Sequence, residues 1–303
     1  MVDKALVDKI KQLKQRRNAV ILAHYYQRPE IQDIADFVGD SLELARKAAG
    51  TGADVIVFCG VHFMAETAAI LSPDKTVVLP VLTAGCPMAD MVTAEALRAR
   101  KAALPGFEVV TYVNTSAEVK AESDICCTSA NAVKVLKSLP LGQDVLFVPD
   151  RNLARYAAQQ AGRDVTSWPG YCPVHDQLRV EDIDLCLEKH PQAKVLVHPE
   201  CRPEVIALAD AVASTSGMLR YARESDAREF IVATEEGLIH QLRKQCPGKE
   251  FYPASDKLIC ENMKLTTLDA LARSLEELAP AVTVPPTVRE RALRAVERML
   301  SFV

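Results

Sequence analysis

Several features that commonly reveal a protein's class are missing from this 303-residue sequence. Acidic and basic residues are interspersed and the net charge is −4, so no basic patch indicates a nucleic-acid partner. No run of about eighteen uncharged apolar residues predicts a membrane span. The charged amino-terminal segment also lacks the apolar core of a signal peptide. We therefore expect a cytoplasmic protein without nucleic-acid or membrane partners.

Other absences concern cofactor and metal motifs. Neither a Gly-x-Gly-x-x-Gly fingerprint nor a P-loop is present, which argues against dinucleotide and nucleoside-triphosphate enzymes. The nine cysteines include no Cys-x-x-Cys pair, which argues against zinc ribbons and thioredoxin-like chemistry. An odd number of cysteines in a cytosolic chain does not indicate a disulfide framework. For Cys59, Cys186 and Cys246 we expect ordinary packing roles.

What the sequence does contain is a pattern that occurs three times. In each copy a short apolar run ends in a polar tip, a hydroxyl-bearing residue follows seventeen positions later, and a cysteine comes further on. The tips, hydroxyls and cysteines are His24, Ser41 and Cys86, then Tyr112, Ser129 and Cys172, then His198, Thr215 and Cys260. Successive tips and successive cysteines are 86 or 88 residues apart. An internal repeat of this kind predicts repeated structural units.

Each copy alternates short strands with helices, which is typical of a parallel sheet covered by helices. Four strands per copy, with amphipathic helices in the wide gaps, predict a small doubly wound αβα unit. We expect three such α/β units around a pseudo-threefold axis, because a unit this small needs neighbours to complete its core. Their predicted bounds are 1–87, 88–174 and 175–264, with C-terminal helices at about 265–303 added to the first.

The chain ends are the least regular part of this scheme. We expect the first and last helices to pack together on the first unit. The last helix is predicted to begin at Thr287, after two prolines, and to form a capping box with Glu290.

The repeat also predicts a site. Ligands of parallel sheets bind at the carboxyl ends of the strands. The polar residues predicted at those ends are His24, Tyr26, Tyr112, Asn114, His198 and Glu200. If the three units share an axis, these side chains and the three repeated cysteines face one central cavity, where we place the active site.

Three thiolates without a fourth repeated ligand form an incomplete set. A structural zinc site is normally closed by four ligands. A [4Fe–4S] cluster also normally takes four cysteines, so three leave one iron open. An open iron is a Lewis acid that polarises oxygen atoms of a substrate. Ligand count favours iron, although spacing alone leaves zinc open as well.

At this point the motifs resemble a known family. They are His24 to Gln27, Gly85 to Pro87, Tyr112 to Ser116, Pro149 to Leu153, Trp168 to His175, His198 to Cys201 and Ser214 to Gly217. From about residue 18 to residue 264 the chain resembles quinolinate synthase. The resemblance implies synthesis of quinolinate, the pyridine precursor of NAD, from iminoaspartate and dihydroxyacetone phosphate. It also implies a [4Fe–4S] cluster on Cys86, Cys172 and Cys260.

The resemblance further implies a functional link to an L-aspartate oxidase or dehydrogenase that supplies the imine. One departure is visible. Some members have further cysteines just after the third ligand, whereas Cys260 is followed here by Glu261, Asn262 and Met263. A local redox switch at that position is therefore not expected.

The repeated residues other than the cysteines also have expected roles. Ser41, Ser129 and Thr215 are either ordinary helix caps or donors to substrate anions, and their shared offset favours binding. His24 and His198 are expected to orient substrate oxygens and to belong to the catalytic set with Tyr26 and Glu200. Tyr26 is the first choice for proton transfer, and Glu200 for holding water or removing a proton. Tyr112 and Asn114 supply uncharged hydrogen bonds.

Other polar residues have no predicted role in the site. His62 and Glu66 are interpreted as a packing pair, and His175 carries no signal.

Two other functional classes remain open: a zinc-dependent hydrolase or aldolase on the same scaffold, and a non-catalytic iron–sulfur sensor. A sensor has no need for six repeated polar strand tips, and metal analysis separates zinc from iron with sulfide.

Overall fold

A computed structural model describes residues 3–302, which form three four-stranded parallel sheets interleaved with helices. The first unit contains α1 Lys4–Arg16, β1 Ala19–His24, α2 Pro29–Ile34, β2 Phe37–Gly39, α3 Ser41–Gly50, β3 Val55–Cys59, α4 His62–Leu71 and β4 Thr76–Val78. The second contains α5 Ala94–Ala103, β5 Glu108–Tyr112, α6 Ala117–Ala121, β6 Ile125–Cys127, α7 Ala132–Ser138, β7 Val145–Val148, α8 Arg151–Ala161 and β8 Thr166–Ser167.

The third unit and the carboxyl-terminal helices follow. They are α9 Pro173–Asp176, α10 Val180–Lys189, β9 Lys194–Val197, α11 Pro203–Ile206, β10 Ala211–Val212, α12 Thr215–Glu224, β11 Glu229–Ala233, α13 Leu238–Gln245, β12 Glu250–Pro253, α14 Leu268–Glu277 and α15 Pro286–Leu300. Short 3₁₀ turns occupy Ala89–Met91 and Glu261–Lys264. No helix in this described part of the chain is both long and apolar enough to cross a membrane.

All three sheets have the same topology. Their strand orders are β2-β1-β3-β4, β6-β5-β7-β8 and β10-β9-β11-β12, and every ladder within them is parallel. The strands β3 and β7 are buried at every position, as expected for sheets covered by helices on both faces. The predicted α/β fold class of three doubly wound units is therefore confirmed. The exact unit boundaries stay a prediction.

Helix packing at the chain ends differs from expectation. Helix α1 packs against α14, which also contacts β3, so both lie on the first unit. Helix α15 instead packs on α6 and β6 of the second unit and on α4 of the first. The side-chain amide of Asn131 donates to the carbonyls of Met299 (3.1 Å) and Phe302 (3.2 Å). The prediction that the first and last helices pack together is therefore wrong.

The start of α15 also differs from its prediction. The helix begins at Pro286 rather than Thr287, and its N-cap, Pro285, makes no side-chain hydrogen bond to the helix. A proline suits the first helical position because its fixed φ is compatible with a helix and no N–H partner is needed there. The predicted capping box with Glu290 is therefore absent.

We predict that Met299→Ala destabilises the protein. Met299 is fully buried in the core shared by α15, α4 and α6. Removing such a side chain costs about 2–5 kcal/mol because a cavity remains. Denaturant unfolding followed by circular dichroism measures the loss. Leu141→Ala, at a fully exposed position, is the control and should change stability by less than about 0.5 kcal/mol. Equal stability of the two variants would contradict the packing of α15.

Candidate active site and metal centre

A cavity of about 330 Å³ lies where the three units meet. It is lined by every residue for which the repeat predicted a role in the site: His24, Tyr26, Ser41, Cys86, Tyr112, Asn114, Ser129, Cys172, His198, Glu200, Thr215 and Cys260. The topology explains this convergence. Parallel strands of one sheet end at the same edge, and the three sheets point their carboxyl edges at the same space.

The two histidines at the strand tips are held by the same local contact. The backbone N–H of Tyr26 donates to Nδ1 of His24 (3.1 Å), and that of Glu200 donates to Nδ1 of His198 (3.4 Å). Each neutral ring therefore carries its proton on Nε2. Burial lowers the pKa of both histidines to about 3, although Glu200 acts in the opposite direction. Near neutral pH they are uncharged hydrogen-bond donors.

Glu200 is a buried carboxylate with one engaged oxygen. Its Oε2 lies 2.8 Å from Nδ1 of His175 and 3.5 Å from Nδ1 of His198. Burial raises the pKa of Glu200, but His175, His198 and the nearby Tyr112 outweigh it and bring the pKa to about 2. Glu200 is therefore ionised throughout the physiological range.

Two buried acceptor atoms in the cavity lack a hydrogen-bond partner within residues 3–302. They are Oε1 of Glu200 and Oδ1 of Asn114. A buried acceptor without a partner costs free energy, and such atoms in a cavity are ready to receive donors from a ligand or water. The cavity therefore offers acceptors to N–H or O–H groups.

A hydrogen-bond chain links Tyr26 to Glu200 through two residues that the sequence reasoning missed. The hydroxyl of Tyr26 lies 2.6 Å from Oγ1 of Thr234, which lies 2.8 Å from Nε2 of His175. Since Nδ1 of His175 faces the ionised Glu200, it carries a proton and Nε2 accepts. The donors then run from Tyr26 to Thr234 to His175, and His175 donates to Glu200.

Both missed residues had only faint signals in the sequence. His175 follows Cys172 by three positions, and Thr234 comes directly after β11. Neither residue recurs at the equivalent place in the other units. Gly60 and Pro149 follow β3 and β7 where Thr234 follows β11. Ala89 and Met263 follow Cys86 and Cys260 by three positions where His175 follows Cys172. The repeated pattern therefore gave no indication of either residue.

The three repeated hydroxyls are not helix caps. Ser41 and Thr215 are the first residues of α3 and α12, but the caps are Asp40 (3.0 Å to the N–H of Glu43) and Ser214 (3.3 Å to that of Gly217). Ser129 lies three residues before α7. In the described range, 3–302, these hydroxyls donate to no protein group. The interpretation as ordinary caps is thus replaced by free hydroxyls at the cavity wall.

The cysteines differ in their surroundings. Cys86, Cys172 and Cys260 are free and partly exposed at the cavity. The other free cysteines lie outside the cavity: Cys186 is partly exposed, Cys246 is buried, and Cys59, Cys126, Cys127 and Cys201 are fully buried. Burial raises the pKa of the Cys86 thiol to about 12, and it also raises the pKa values of Cys172 and Cys260. The environment alone therefore favours thiols, and a metal is needed to displace their protons.

Nearby backbone N–H groups partly oppose the effect of burial on these thiols. Those of Met88 and Ala89 lower the pKa of Cys86, and that of His175 lowers the pKa of Cys172. Those of Asn262 and Met263 lower the pKa of Cys260. In addition, ligand atoms of Cys172, His175 and Glu200 lie within 4.8 Å of one another. The donor set fits a thiolate-bound metal centre.

Fold and site together define an α/β protein with a candidate metal centre in a cavity between three doubly wound units. The model of the family described as Quinolinate synthetase A protein matches residues 8–301. A curated quinolinate synthase from Desulforudis audaxviator is 62% identical over 297 residues, covering 98% of each chain. Another, from Methanoregula boonei, is 58% identical over 303 residues and covers 100% of both. The chain belongs to the quinolinate synthase family.

A further curated relative extends the comparison to a third organism. The quinolinate synthase of Methanosarcina barkeri is 56% identical over 296 residues, covering 98% of this chain and 97% of the relative. In all three relatives the match includes the segments that carry the cavity residues, because it spans nearly the whole chain. The resemblance read from the motifs is therefore confirmed at the level of the family.

We predict that acid destabilises the protein through its tip histidines. The pKa values of His24 and His198 are about 3 when folded, against an ordinary value of 6.5. The unfolded chain binds more protons between these values, so stability is full above about pH 7 and falls as the pH drops below about 6.5. Each histidine contributes about 1 kcal/mol per pH unit there.

Urea unfolding of the metal-free protein between about pH 7 and pH 5 measures this dependence. His198→Asn should reduce this slope by about half, because His24 still contributes. His190→Asn, outside the cavity, is the matched control. An unchanged slope in His198→Asn would show that the buried ring is not the source.

Proposed function

We propose that this protein is a quinolinate synthase, which condenses iminoaspartate with dihydroxyacetone phosphate and releases phosphate and water. The observation that carries the proposal is the convergence of three cysteines and the polar strand tips in one cavity of a chain from this family. An L-aspartate oxidase or dehydrogenase would supply the imine. The product belongs to the synthesis of NAD.

The cavity suits anionic substrates without using cationic side chains. The substrates carry two carboxylates and a phosphate, yet no Lys or Arg of residues 3–302 lines the cavity. The free hydroxyls of Ser41 and Thr215 stand at the amino-terminal ends of α3 and α12, where backbone N–H groups attract anions. His24 and His198 add neutral donors. Ser129 and Tyr112 contribute hydroxyls from the second unit.

The cofactor we propose is a [4Fe–4S] cluster held by Cys86, Cys172 and Cys260. Three soft thiolates with no fourth repeated cysteine leave one iron open. When bound, the cluster supplies a Lewis acid that polarises carbonyl and hydroxyl oxygens of the substrate. Glu200, with its free Oε1, is placed to hold water or to accept a proton.

Proton transfer is assigned to Tyr26 and its hydrogen-bond chain. Burial raises the pKa of Tyr26 well above 10, so the resting residue is a neutral phenol. When Tyr26 accepts a proton from the substrate, its own phenolic proton passes to Thr234, whose hydroxyl proton passes to Nε2 of His175. The adjacent carboxylate of Glu200 stabilises the resulting imidazolium, and reversal returns the proton. Tautomerisation and dehydration both need such a reversible carrier.

A second candidate function has one observation in its favour. Cys172, His175 and Glu200 place three ligand atoms close enough to hold a single zinc ion. A zinc-dependent hydrolase or aldolase would use that set and would not need Cys86 or Cys260. Metal and sulfide analysis distinguishes the two candidates.

Prepared without oxygen, the protein should be brown and hold about four irons and four sulfides per chain. Changing Cys86, Cys172 or Cys260 to Ala should remove the cluster and the activity together. Matched controls are Cys59→Ala and Cys246→Ala, at buried cysteines outside the cavity. Absorbance spectra with iron and sulfide counts measure the result. Zinc without sulfide, or loss of iron in Cys59→Ala, would contradict the ligand assignment.

Tyr26→Phe and Glu200→Gln should keep the cluster and bind substrates but lose turnover. Loss of a positioned acid or base typically lowers the rate by ~10²–10⁴. Steady-state quinolinate formation measures the rate, and the cluster spectrum checks loading. Tyr252→Phe, at a tyrosine outside the cavity, is the matched control. Turnover at the wild-type rate in Tyr26→Phe would transfer the proton work to another residue.

A further inference from the structure

The three cysteine ligands of the proposed function differ in one buried neighbour. Two residues after β3, β7 and β11, the three units carry Val61, Asp150 and Glu235. All three side chains are buried, with exposed fractions of 2%, 0% and 0%. The repeat therefore offers one equivalent position per unit, which is apolar in the first unit and acidic in the others.

Asp150 caps a helix and also accepts a hydrogen bond from the backbone of a cysteine. Its Oδ1 accepts the N–H of Leu153 at the start of α8 (2.7 Å), and its Oδ2 accepts the N–H of Cys172 (3.2 Å). The loop carrying Cys172 lies tightly on this strand end. A side chain at Gly170 would come within 2.5 Å of the carbonyl oxygen of Pro149. Cys172 is thereby held through its N–H.

Glu235 makes the equivalent contact in the third unit. Its Oε1 accepts the N–H of Cys260 (3.2 Å), while Oε2 accepts the N–H of Gly237 (2.8 Å). Lys264 lies 2.7 Å from Oε1. The side chain of Val61, in contrast, has no atom that could accept the N–H of Cys86.

We propose that Asp150 and Glu235 are positioning residues, which fix the backbones of Cys172 and Cys260 so that their sulfurs are preset for the metal centre. Cys86 lacks this restraint and is the most adaptable of the three ligands. The inference rests on the ligand assignment of the proposed function, but the contacts exist in the protein without metal.

The decisive variant is Asp150→Ser. Serine caps a helix well, so α8 keeps its start, but its short side chain cannot also reach the N–H of Cys172. In the metal-free protein, alkylation by iodoacetamide should become about three- to tenfold faster at Cys172 relative to Cys86, as expected for one lost hydrogen bond. Peptide mass spectrometry reports each thiol separately. The loaded variant should lose iron to a ferrous chelator faster by a similar factor.

Two further variants complete the test. Asp3→Ser makes the same change at the cap of α1, where no cysteine is near, and should alter neither rate. Glu235→Met removes the acceptor of the Cys260 N–H, and Lys264 keeps Glu236 as a neighbour at 3.9 Å. In Glu235→Met, Cys260 rather than Cys172 should be alkylated faster relative to Cys86. If Asp150→Ser does not fold, Glu235→Met still tests the positioning role.

The possible outcomes separate this inference from the proposed function. An unchanged ratio of Cys172 to Cys86, or equal acceleration of all three thiols, would overturn the positioning role. A wild-type protein that takes up no cluster would overturn the proposed cofactor instead, while the alkylation of the metal-free protein would still report on positioning.

Discussion

The parallel pairing of strands within each unit is the constraint on which the rest of this structure depends. Because all four strands of a sheet run the same way, their carboxyl ends form one edge, and helices cover both faces. Polar side chains at those ends cannot be buried in the sheet core, so they gather at the edge. Three units with identical topology then enclose one cavity between three such edges.

Inside that cavity, burial determines the chemistry. Charged groups lose hydration there, so His24 and His198 stay neutral, while Glu200 remains charged because His175 and its neighbours stabilise it. The hydrogen bonds among Tyr26, Thr234 and His175 satisfy the polar atoms that no solvent reaches. The atoms left without partners define where a ligand must contribute its own groups.

The scaffold is repeated but the chemistry is not. Equivalent strand tips carry His24, Tyr112 and His198, and equivalent positions after the third strands carry an apolar residue in one unit and acids in the other two. Repetition supplies convergent positions at little cost in new structure, because the same fold is used three times. Because the residues at those positions differ, each unit contributes different side chains to the cavity for binding a ligand, orienting it or exchanging protons.

The sequence by itself determined the three units, the polar residues at the ends of their strands and the set of residues that meet in the cavity. It could do so because periodic apolar runs and repeated spacings are local properties of the chain. Only the tertiary structure decided which groups touch across units. His175 and Thr234 join Tyr26 to Glu200 through contacts between distant segments, and α15 packs between the second unit and α4 of the first. Such choices depend on shape and burial between packed surfaces, which no spacing along the chain encodes.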